Sequence, residues 1–479
     1  MNNLLTGRSH HARTFLGTLL IILTLLALPS QALADTSGPN FIPIVTKQTN
    51  VFYISPEGGD DNSGAYNAPW QTPQHAADQA PEGAIIYLRA GTYSFFTISR
   101  PGLTFTSYPG DEVILTGDGN EQHTIMIRST TGITIEGLTI QDNPVDYGTG
   151  IHVEDSQDIL IRYNLIQANQ GFGIVLKNVV NVIVEENELT DNANAIEVRY
   201  GSDGVLLRNN LVHHNHREVD SGRAAIGINF YYTTGPITAQ GNWLWENHTI
   251  NETDPGGAAF EIYAATNVTI TGNVLWGNET ILETGTDEDK TPCSNLTFTR
   301  NLAFRGARQQ GLILRCAADS MVAHNTFDGL DNFVFNLSHF KGEYGASIEG
   351  LRIVNNIAIN GRVYAIETIL PDSVEIDHNL VYNPGSDSDY GDYLAYVEDF
   401  GNTDDFSEFK SWTIYEADGQ SCDPRFVDPL NGDYHLQESS PGIDAGMILD
   451  EPYQGSAPDL GIYEYEQTFS IIFPIDRFD

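Results

Sequence analysis

A short asparagine-centred motif recurs through the middle of this chain. Copies such as ILIRYNLI, VIVEENEL, VLLRNNLV and VTITGNVL align on one asparagine, with apolar residues alternating around it. The anchors, separated by 23 to 32 residues, are Asn164, Asn187, Asn210, Asn242, Asn273, Asn301, Asn325, Asn356 and Asn379. A period of this length indicates one supersecondary unit per copy, stacked into a solenoid.

Each copy contains two short runs that alternate apolar and polar residues. Before the anchor, apolar residues occupy every second position, as Ile159 and Ile161 do. After it, successive copies contain GIHVE, GIVLK, AIEVR, AFEIY and GLILR. A period of two places one side of a strand in a core and the other in solvent. Since no helical period separates the runs, the pattern predicts an all-β parallel β-helix of about ten or more coils.

The fixed asparagine suits a turn in the left-handed backbone region, with side-chain amides stacking between coils. Additional residues interrupt the repeat at 214–225, 248–258, 303–310 and 339–347. Insertions in a solenoid form loops on one face, which is often the binding face.

The chain begins like an exported protein. Basic residues precede the apolar run from Phe15 to Leu28, and small residues then allow cleavage after Ala34. This pattern predicts a signal peptide over 1–34, a linker over 35–50, and a secreted or cell-surface product. No later run is long and apolar enough to predict a transmembrane segment.

Acidic residues outnumber basic residues by 64 to 23, which gives a net charge of −41. Such a surface repels nucleic acid and anionic lipid, so neither is expected as a partner. A polyanionic sugar would need bridging cations. The composition therefore favours a neutral partner or one that binds together with a metal ion.

Two of the three cysteines fall at similar points of adjacent coils. Cys293 and Cys316 are 23 residues apart, and neighbouring strands lie about 4.8 Å apart, which is within disulfide range. The spacing predicts one Cys293–Cys316 disulfide and leaves Cys422 unpaired.

Motifs at the two ends of the repeat region resemble known proteins. The entry, residues 52–93, contains SPEGGDD, PWQTPQHAADQA and YLRAGTY, and Thr72 to Ala80 is typical of a short helix that caps the first coil. The exit contains DPRFVDPLNGDYHLQESSPGIDAG and APDLGIYEY. The entry resembles secreted right-handed parallel β-helix proteins of the pectate-lyase-like superfamily, and the exit resembles a choice-of-anchor Q segment.

That resemblance implies a right-handed parallel β-helix with its N-terminal cap over 51–383, followed by a C-terminal appendage over 384–479. It also implies work on an extracellular polysaccharide. It fixes no reaction, because one fold supports many activities.

The second run of each coil predicts a polar outer surface with two outward columns. The first column is expected to contain His152, Val175, Glu197, Asn229, Glu261, Glu283, Ile313, Val334 and Glu367. The second is expected to contain Glu154, Lys177, Arg199, Tyr231, Tyr263, Gly285, Arg315, Asn336 and Ile369. Carboxylates supply acid and base groups and aromatic faces can stack on sugars, so this surface is the predicted site.

Glu261 and Glu283 are 22 residues apart and are predicted to lie at one height on adjacent coils. Carboxyl groups about 5 Å apart are typical of retaining glycosidases. Like charges at that distance push their pKa values apart and create one acid and one base. Alternatively, Asn229, Glu261 and Glu283 bind Ca²⁺, or the face is simply solvated.

Lyase chemistry needs a base and cations that stabilise an enolate. The chondroitinase B and alginate lyase family has E-x-E-I, a lysine five residues after the second glutamate, and R-H-G one coil later. Here Glu261 matches the second glutamate, and Asn229 matches an asparagine metal ligand that the family takes from the preceding coil. Alanine, threonine and Glu-Thr-Gly replace the first glutamate, the lysine and R-H-G. A pectate-lyase-like arrangement of Lys177 and Arg199 stays open, against an ion pair of Lys177 with a neighbouring glutamate.

We therefore expect a monomeric carbohydrate-active protein that cleaves a polysaccharide as a lyase or a glycosidase, with Ca²⁺ as the candidate cofactor. The candidate catalytic residues are Glu261, Glu283, Glu197, Lys177 and Arg199. The candidate substrate-binding residues are His152, Asn229, Tyr231, Tyr263, Arg315 and Arg223. The alternative is a non-catalytic surface or adhesion β-helix that binds glycans.

Overall fold

Three long sheets form the body of the protein. The computed structural model describes residues 50–217, 225–249, 257–287, 292–306, 310–337, 345–383 and 393–465. Within these ranges each long sheet has 13 strands, and through most of the solenoid one turn of the chain adds one parallel strand to each sheet. The last strand of the third sheet, Gly401–Thr403, instead pairs antiparallel with Ala395–Val397. In one coil, for example, Gln157–Arg162 belongs to the first sheet, Leu165–Gln167 to the second and Phe172–Lys177 to the third. The predicted all-β parallel β-helix is confirmed.

The strands of the three sheets follow in chain order. The first sheet contains Val51–Ile54, Ile85–Leu88, Thr104–Ser107, Thr134–Glu136, Gln157–Arg162, Val180–Glu185, Asp203–Arg208, Ile237–Gln240, Thr266–Thr271, Ser294–Thr299, Met321–Ala323, Arg352–Val354 and Glu375–Asp377. The second contains Gly91–Tyr93, Val113–Thr116, Thr139–Gln141, Leu165–Gln167, Glu188–Thr190, Leu211–His213, Trp243–Trp245, Val274–Trp276, Leu302–Gly306, Thr326–Leu330, Ile357–Ile359, Leu380–Tyr382 and Gln420–Ser421. The third contains Phe96–Ile98, His123–Arg128, Thr149–Glu154, Phe172–Lys177, Asn194–Arg199, Ala225–Tyr231, Gly257–Tyr263, Thr280–Gly285, Gln310–Leu314, Phe335–Leu337, Tyr364–Ile366, Ala395–Val397 and Gly401–Thr403.

Short elements complete the fold. Helix α1 (Pro73–Gln79) begins at the N-cap Thr72, whose hydroxyl accepts from the His75 backbone N–H, and it buries Ala76 and Ala77 against the first coil. This is the predicted capping helix. Helix α2 (Phe406–Trp412) and a 3₁₀ turn (Pro429–Asn431) follow the solenoid. Two small sheets pair His216–Arg217 with His248–Thr249, and Phe426–Asp428 with Asp433–Leu436.

The anchor asparagines form a buried ladder between the first and second sheets. The Nδ2 of each anchor donates to the Oδ1 of the anchor one coil later, over 2.9 to 3.1 Å. At the end, Glu416 Oε1 accepts from Asn379 Nδ2 at 2.7 Å. A second ladder joins Asn169, Asn192, Asn215, Asn247 and Asn278. The predicted stacking of amides is confirmed.

The left-handed turn residue lies one position earlier than the sequence suggested. Positive φ angles occur at the residue before each anchor, which is Tyr163, Glu186, Asn209, Gly241, Gly272, Arg300, His324, Asn355 or His378. The anchor itself keeps ordinary backbone angles, because its amide is needed inside for the ladder.

A C-terminal segment covers the outer face of the second sheet. That face is apolar along several coils, for instance at Leu302 and Ile357, and Phe426, Leu436 and Leu460 pack against it. Apolar outward residues would otherwise expose a long hydrophobic stripe. The second and third sheets continue beyond the predicted boundary at 383, to Ser421 and Thr403. In the part of the chain that the structure describes, no helix has the length and apolarity needed to cross a membrane.

The predicted Cys293–Cys316 disulfide is absent, and both residues are buried free thiols. Ser294 pairs with Ala318 across the two coils, so Cys293 is one residue out of register with Cys316. The backbone N–H of Cys293 lies 2.8 Å from Cys316 Sγ, while Cys293 Sγ lies 2.8 Å from the Gly285 carbonyl. The two thiols are therefore free and hydrogen-bonded rather than joined to each other.

Candidate functional site

The middle of the third sheet aligns four polar side chains across four coils. Glu197 pairs with Asn229, Asn229 with Glu261, and Glu261 with Glu283. The inward neighbours, such as Phe260 on the strand of Glu261, are fully buried in the core and fix which side chains point out. We call Glu197, Asn229, Glu261 and Glu283 the acidic column. Its predicted register is confirmed.

The columns differ from the expectation at their C-terminal end. Ile313 pairs with Asn336, not with Val334, and Asn336 in turn pairs with Ala365 rather than with Glu367. Val334 is buried before its strand begins. The expected position is thus two residues too early in this coil and two residues too late in the next.

Burial differs along the acidic column. Glu197 and Asn229 are only 6% and 5% exposed. Glu261 is partly buried, and the side chain of Glu283 is 39% exposed. The column therefore begins in a desolvated environment and opens towards solvent at its C-terminal end.

The two outer carboxylates of the column form ion pairs. Glu197 Oε1 lies 2.7 Å from Arg199 Nη1, and Glu283 Oε1 lies 2.6 Å from Arg315 Nη1. Within the described residues, no hydrogen bond or ion pair reaches the carboxyl group of Glu261. The central carboxyl group is thus the one without a compensating charge.

The protonation state of Glu261 follows from this environment. Burial raises the pKa of Glu261 to about 8, and the neighbouring charges of Glu283 and Glu197 act in the same direction. Near neutral pH Glu261 therefore holds a proton between two carboxylates that are paired with arginine. Carboxyl groups in such different environments are suited to separate acid and base roles.

Asn229 presents an unsatisfied acceptor beside these carboxyl groups. Its Nδ2 lies 3.5 Å from Glu197 Oε2, but its buried Oδ1 has no hydrogen-bond partner. Buried polar atoms are nearly always hydrogen-bonded. An orphaned acceptor at this point is suited to a donor from a bound ligand, such as a sugar hydroxyl.

Calcium at Asn229, Glu261 and Glu283 remains a prediction that the arrangement does not favour. Ca²⁺ needs six to eight oxygen ligands around one point, whereas Glu283 is held by an arginine. Among the described His, Cys, Asp and Glu residues, the one group of three ligand atoms within 4.8 Å of one another lies elsewhere. Glu197, Glu261 and Glu283 do not form such a group, and the set that includes Asn229 stays a prediction.

An aromatic surface borders the acidic column. Tyr231 and Tyr263 are paired on adjacent coils, two residues beyond Asn229 and Glu261, with ring centroids 5.8 Å apart and planes 16° apart. Asp287 accepts hydrogen bonds from the hydroxyls of Tyr263, at 2.8 Å, and of Tyr232. These bonds hold the partly exposed tyrosine rings in place. We call Tyr231, Tyr232 and Tyr263 the tyrosine platform.

Sequence reasoning identified two members of this platform and missed two contributors. Tyr232 follows Tyr231 directly, and the acidic segment at Asp287 resembled a solvated loop. The Tyr-Tyr doublet was the available signal, because consecutive aromatic residues at a strand end cannot both point inward.

At the N-terminal end of this surface, the predicted residues Lys177 and His152 contact neighbouring side chains. Lys177 Nζ lies 3.4 Å from Glu154 Oε1, which is the ion pair expected as its alternative role. His152 lies beside Glu154 and stacks on His123 with centroids 4.2 Å apart. Burial lowers the pKa of His152 to about 3 and that of His123 to about 4, so both rings are neutral. Arg223 lies outside the described residues.

Comparison with known proteins supports the fold. Residues 123–291 match the family model described as a right-handed β-helix region. The uncharacterized protein YwoF of Bacillus subtilis (strain 168) is 33% identical over 131 residues, which cover 24% of this chain and 28% of that protein. The pectate lyase PEL9 of Emericella nidulans is 28% identical over 139 residues, covering 27% and 30%.

Among solved structures, the complex of XylC with xylose matches with a TM-score of 0.50 at 10% identity, covering 73% of this chain and 86% of that chain. Each of the two curated relatives is matched over less than a third of its own length. The likenesses therefore establish a right-handed parallel β-helix.

Proposed function

We propose that this protein hydrolyses a polysaccharide in the groove formed by the acidic column and the tyrosine platform. The observation that carries the proposal is the position of Glu261, a carboxyl group without an ion-pair partner, in register between Asn229 and Glu283. The pectate lyase activity of one relative and the xylose bound to one structural neighbour support a saccharide ligand.

The geometry assigns a role to each carboxyl group. Glu261 donates its proton to the glycosidic oxygen as the bond to the anomeric carbon breaks. Glu283 lies one strand away, about 4.8 Å along the sheet, which is near the separation of a retaining pair. Its carboxylate attacks the anomeric carbon. Water then cleaves this ester as Glu261 takes a proton from the water, which restores both groups.

The remaining groups bind and orient the sugar. The Oδ1 of Asn229 accepts from a sugar hydroxyl, and the tyrosine platform stacks on the apolar face of a ring. Because the net charge is −41, a neutral glycan approaches this surface more readily than a polyuronate does. We therefore place the substrate among neutral or weakly charged polysaccharides.

A glycan screen tests this proposal directly. Purified protein should release reducing ends from a neutral polysaccharide, without formation of an unsaturated uronate and without inhibition by a chelator. An absorbance increase from unsaturated uronate, lost on chelation, would instead establish the calcium-dependent lyase. Binding without product from any glycan would establish the adhesion alternative.

The pH profile should report the proton on Glu261. The raised pKa of about 8 means that the acid is protonated below pH 8 and ionised above it. We expect kcat/KM to fall about tenfold per pH unit above pH 8. A profile that stays flat up to pH 10 would contradict the acid role of Glu261. In the Glu261→Gln variant, any residual activity should lack this basic limb.

Removing one ring of the tyrosine platform should weaken substrate binding. For Tyr263→Ala we expect KM to rise about 2- to 13-fold, since an aromatic contact is worth about 0.5–1.5 kcal/mol, with a smaller effect on kcat. Tyr66→Ala is the matched control, because Tyr66 is an exposed tyrosine that contacts the aromatic rings of Tyr53 and Tyr108, away from the acidic column. Equal effects of the two substitutions on KM would exclude a platform role.

A further inference from the structure

A second cluster of ligand-bearing side chains lies at the C-terminal end of the solenoid, away from the acidic column. Asp377 ends the last strand of the first sheet, and His378 follows it at the turn before Asn379. Asp418 belongs to the segment between α2 and the last strand of the second sheet. One ligand atom from each of the three residues lies within 4.8 Å of the other two.

The contacts of these residues leave ligand atoms available. Asp377 Oδ1 accepts the backbone N–H groups of His378 and Asp418, both at 2.8 Å. Its Oδ2 lies 3.6 Å from His378 Nδ1, a buried nitrogen without a hydrogen-bond partner. The carboxylate is therefore held in place while one oxygen and one imidazole nitrogen stay unsatisfied.

The local charge is also uncompensated. In the described part of the chain, no lysine or arginine forms an ion pair with Asp377 or Asp418. Lys410 comes near, but its Nζ donates to the Ala417 carbonyl at 3.0 Å. The three side chains therefore converge without a lysine or arginine among them.

We propose that Asp377, His378 and Asp418 bind one divalent transition-metal ion, with Zn²⁺ as the best match. An imidazole nitrogen with two carboxylates is a donor set suited to zinc, whereas Ca²⁺ and Mg²⁺ select oxygen ligands. Ligand distances of about 2.0–2.2 Å to the metal place neighbouring donor atoms of a tetrahedral site about 3.4 Å apart, close to the 3.6 Å between Asp377 Oδ2 and His378 Nδ1. Water completes the coordination.

The ion would join two segments that are 41 residues apart in the chain. One is the last strand of the first sheet, and the other leads to the final strand of the second sheet. The second segment carries Glu416, which receives the end of the asparagine ladder. Binding at this position would fasten the C-terminal end of the solenoid, so the site is structural and independent of the acidic column.

Metal titration of the full chain tests this site. After treatment with a chelator and its removal, calorimetry should show saturable binding of one equivalent of Zn²⁺, and thermal unfolding should shift upwards on zinc addition. Calcium at the same concentration should produce neither effect. Asp418→Asn should weaken zinc binding at least tenfold and abolish the thermal shift.

Two further variants keep the outcome decisive. His378→Asn removes the imidazole with a residue that tolerates positive φ, which is 53° at this position, and should weaken zinc binding as Asp418→Asn does. The exposed neighbour Asp372 provides the control, because Asp372→Asn should bind zinc like the wild type. Absence of one-equivalent binding in the wild type, or equal affinity in the Asp418→Asn variant, would overturn the proposal.

Discussion

Replacing Glu261 by glutamine is expected to lower kcat by about 10²- to 10⁴-fold, the contribution of a general acid, while the protein becomes more stable. Glutamine has nearly the same shape but cannot supply a proton. The fold should be retained, because within the described residues no hydrogen bond or ion pair of the Glu261 carboxyl group is lost.

The gain in stability follows from the raised pKa of Glu261. The folded-state value of about 8 lies above the reference of 4.5, so folding is unaffected by this group below pH 4.5 and is opposed increasingly as the pH rises towards 8. A tenfold difference in acid dissociation constant between the folded and unfolded states corresponds to about 1.4 kcal/mol. Allowing for partial exposure, we expect Glu261→Gln to raise the free energy of unfolding at pH 8 by about 1–3 kcal/mol.

Kinetics and urea unfolding at pH 5 and pH 8 measure both effects. The matched control is Glu398→Gln, at an exposed glutamate near the C-terminal end of the third sheet, which should change neither quantity. Wild-type turnover in Glu261→Gln would exclude the acid role. Reduced activity with reduced stability would indicate that Glu261 supports the structure instead.

Replacing Asn210 by alanine should produce the largest loss of stability. Asn210 is fully buried, and its Nδ2 donates to Asn242 Oδ1 at 3.0 Å and to the Val184 carbonyl at 2.9 Å. Its Oδ1 accepts from the backbone N–H and Nδ2 of Asn187, both at 3.1 Å. Alanine leaves these partners buried and unsatisfied, at about 1–3 kcal/mol each. We expect a total of about 3–5 kcal/mol, since neighbouring groups recover part of the lost bonding.

The midpoint of urea unfolding checks this value, and hydrogen exchange locates the change. Exchange should accelerate first in the coils next to Asn210, since each coil of a solenoid contacts only its neighbours. Asn120→Ala is the control, at an exposed asparagine outside the ladder, with an expected change below about 0.5 kcal/mol. A similar small change in Asn210→Ala would mean that the ladder contributes little.

Periodicity explains why much of the fold could be predicted from the sequence. The spacing of 22 residues between Glu261 and Glu283 fixed their pairing, because each coil adds one strand to the same sheet. The same reasoning failed after Ile313, where the expected positions are two residues out of register with the observed pairs. It also failed for Cys293 and Cys316, which are one residue out of register and remain free thiols.

Side-chain partners inside the site were less predictable. Glu283 pairs with Arg315, and Lys177 pairs with Glu154. Both pairings depend on how far long side chains extend between coils. The contacts of Asp287 with two tyrosines depend on the path of a loop. The period of the repeat specifies neither the reach of these side chains nor the path of that loop. The cluster of Asp377, His378 and Asp418 was missed because Asp418 is 41 residues from Asp377 and lies outside the repeated positions.

The asparagine ladder keeps the distance between neighbouring coils constant even though the number of residues in a coil varies. Its partners are between 23 and 32 residues apart in sequence, yet the hydrogen bonds that join them vary only from 2.9 to 3.1 Å. In two coils the additional chain enters between Arg217 and Ala225, and between Thr249 and Gly257, directly before strands of the acidic column. Exchange of these segments between homologous solenoids should therefore change the residues that lead into the acidic column without refolding the scaffold. This offers evolution and protein engineering the same route to new specificity.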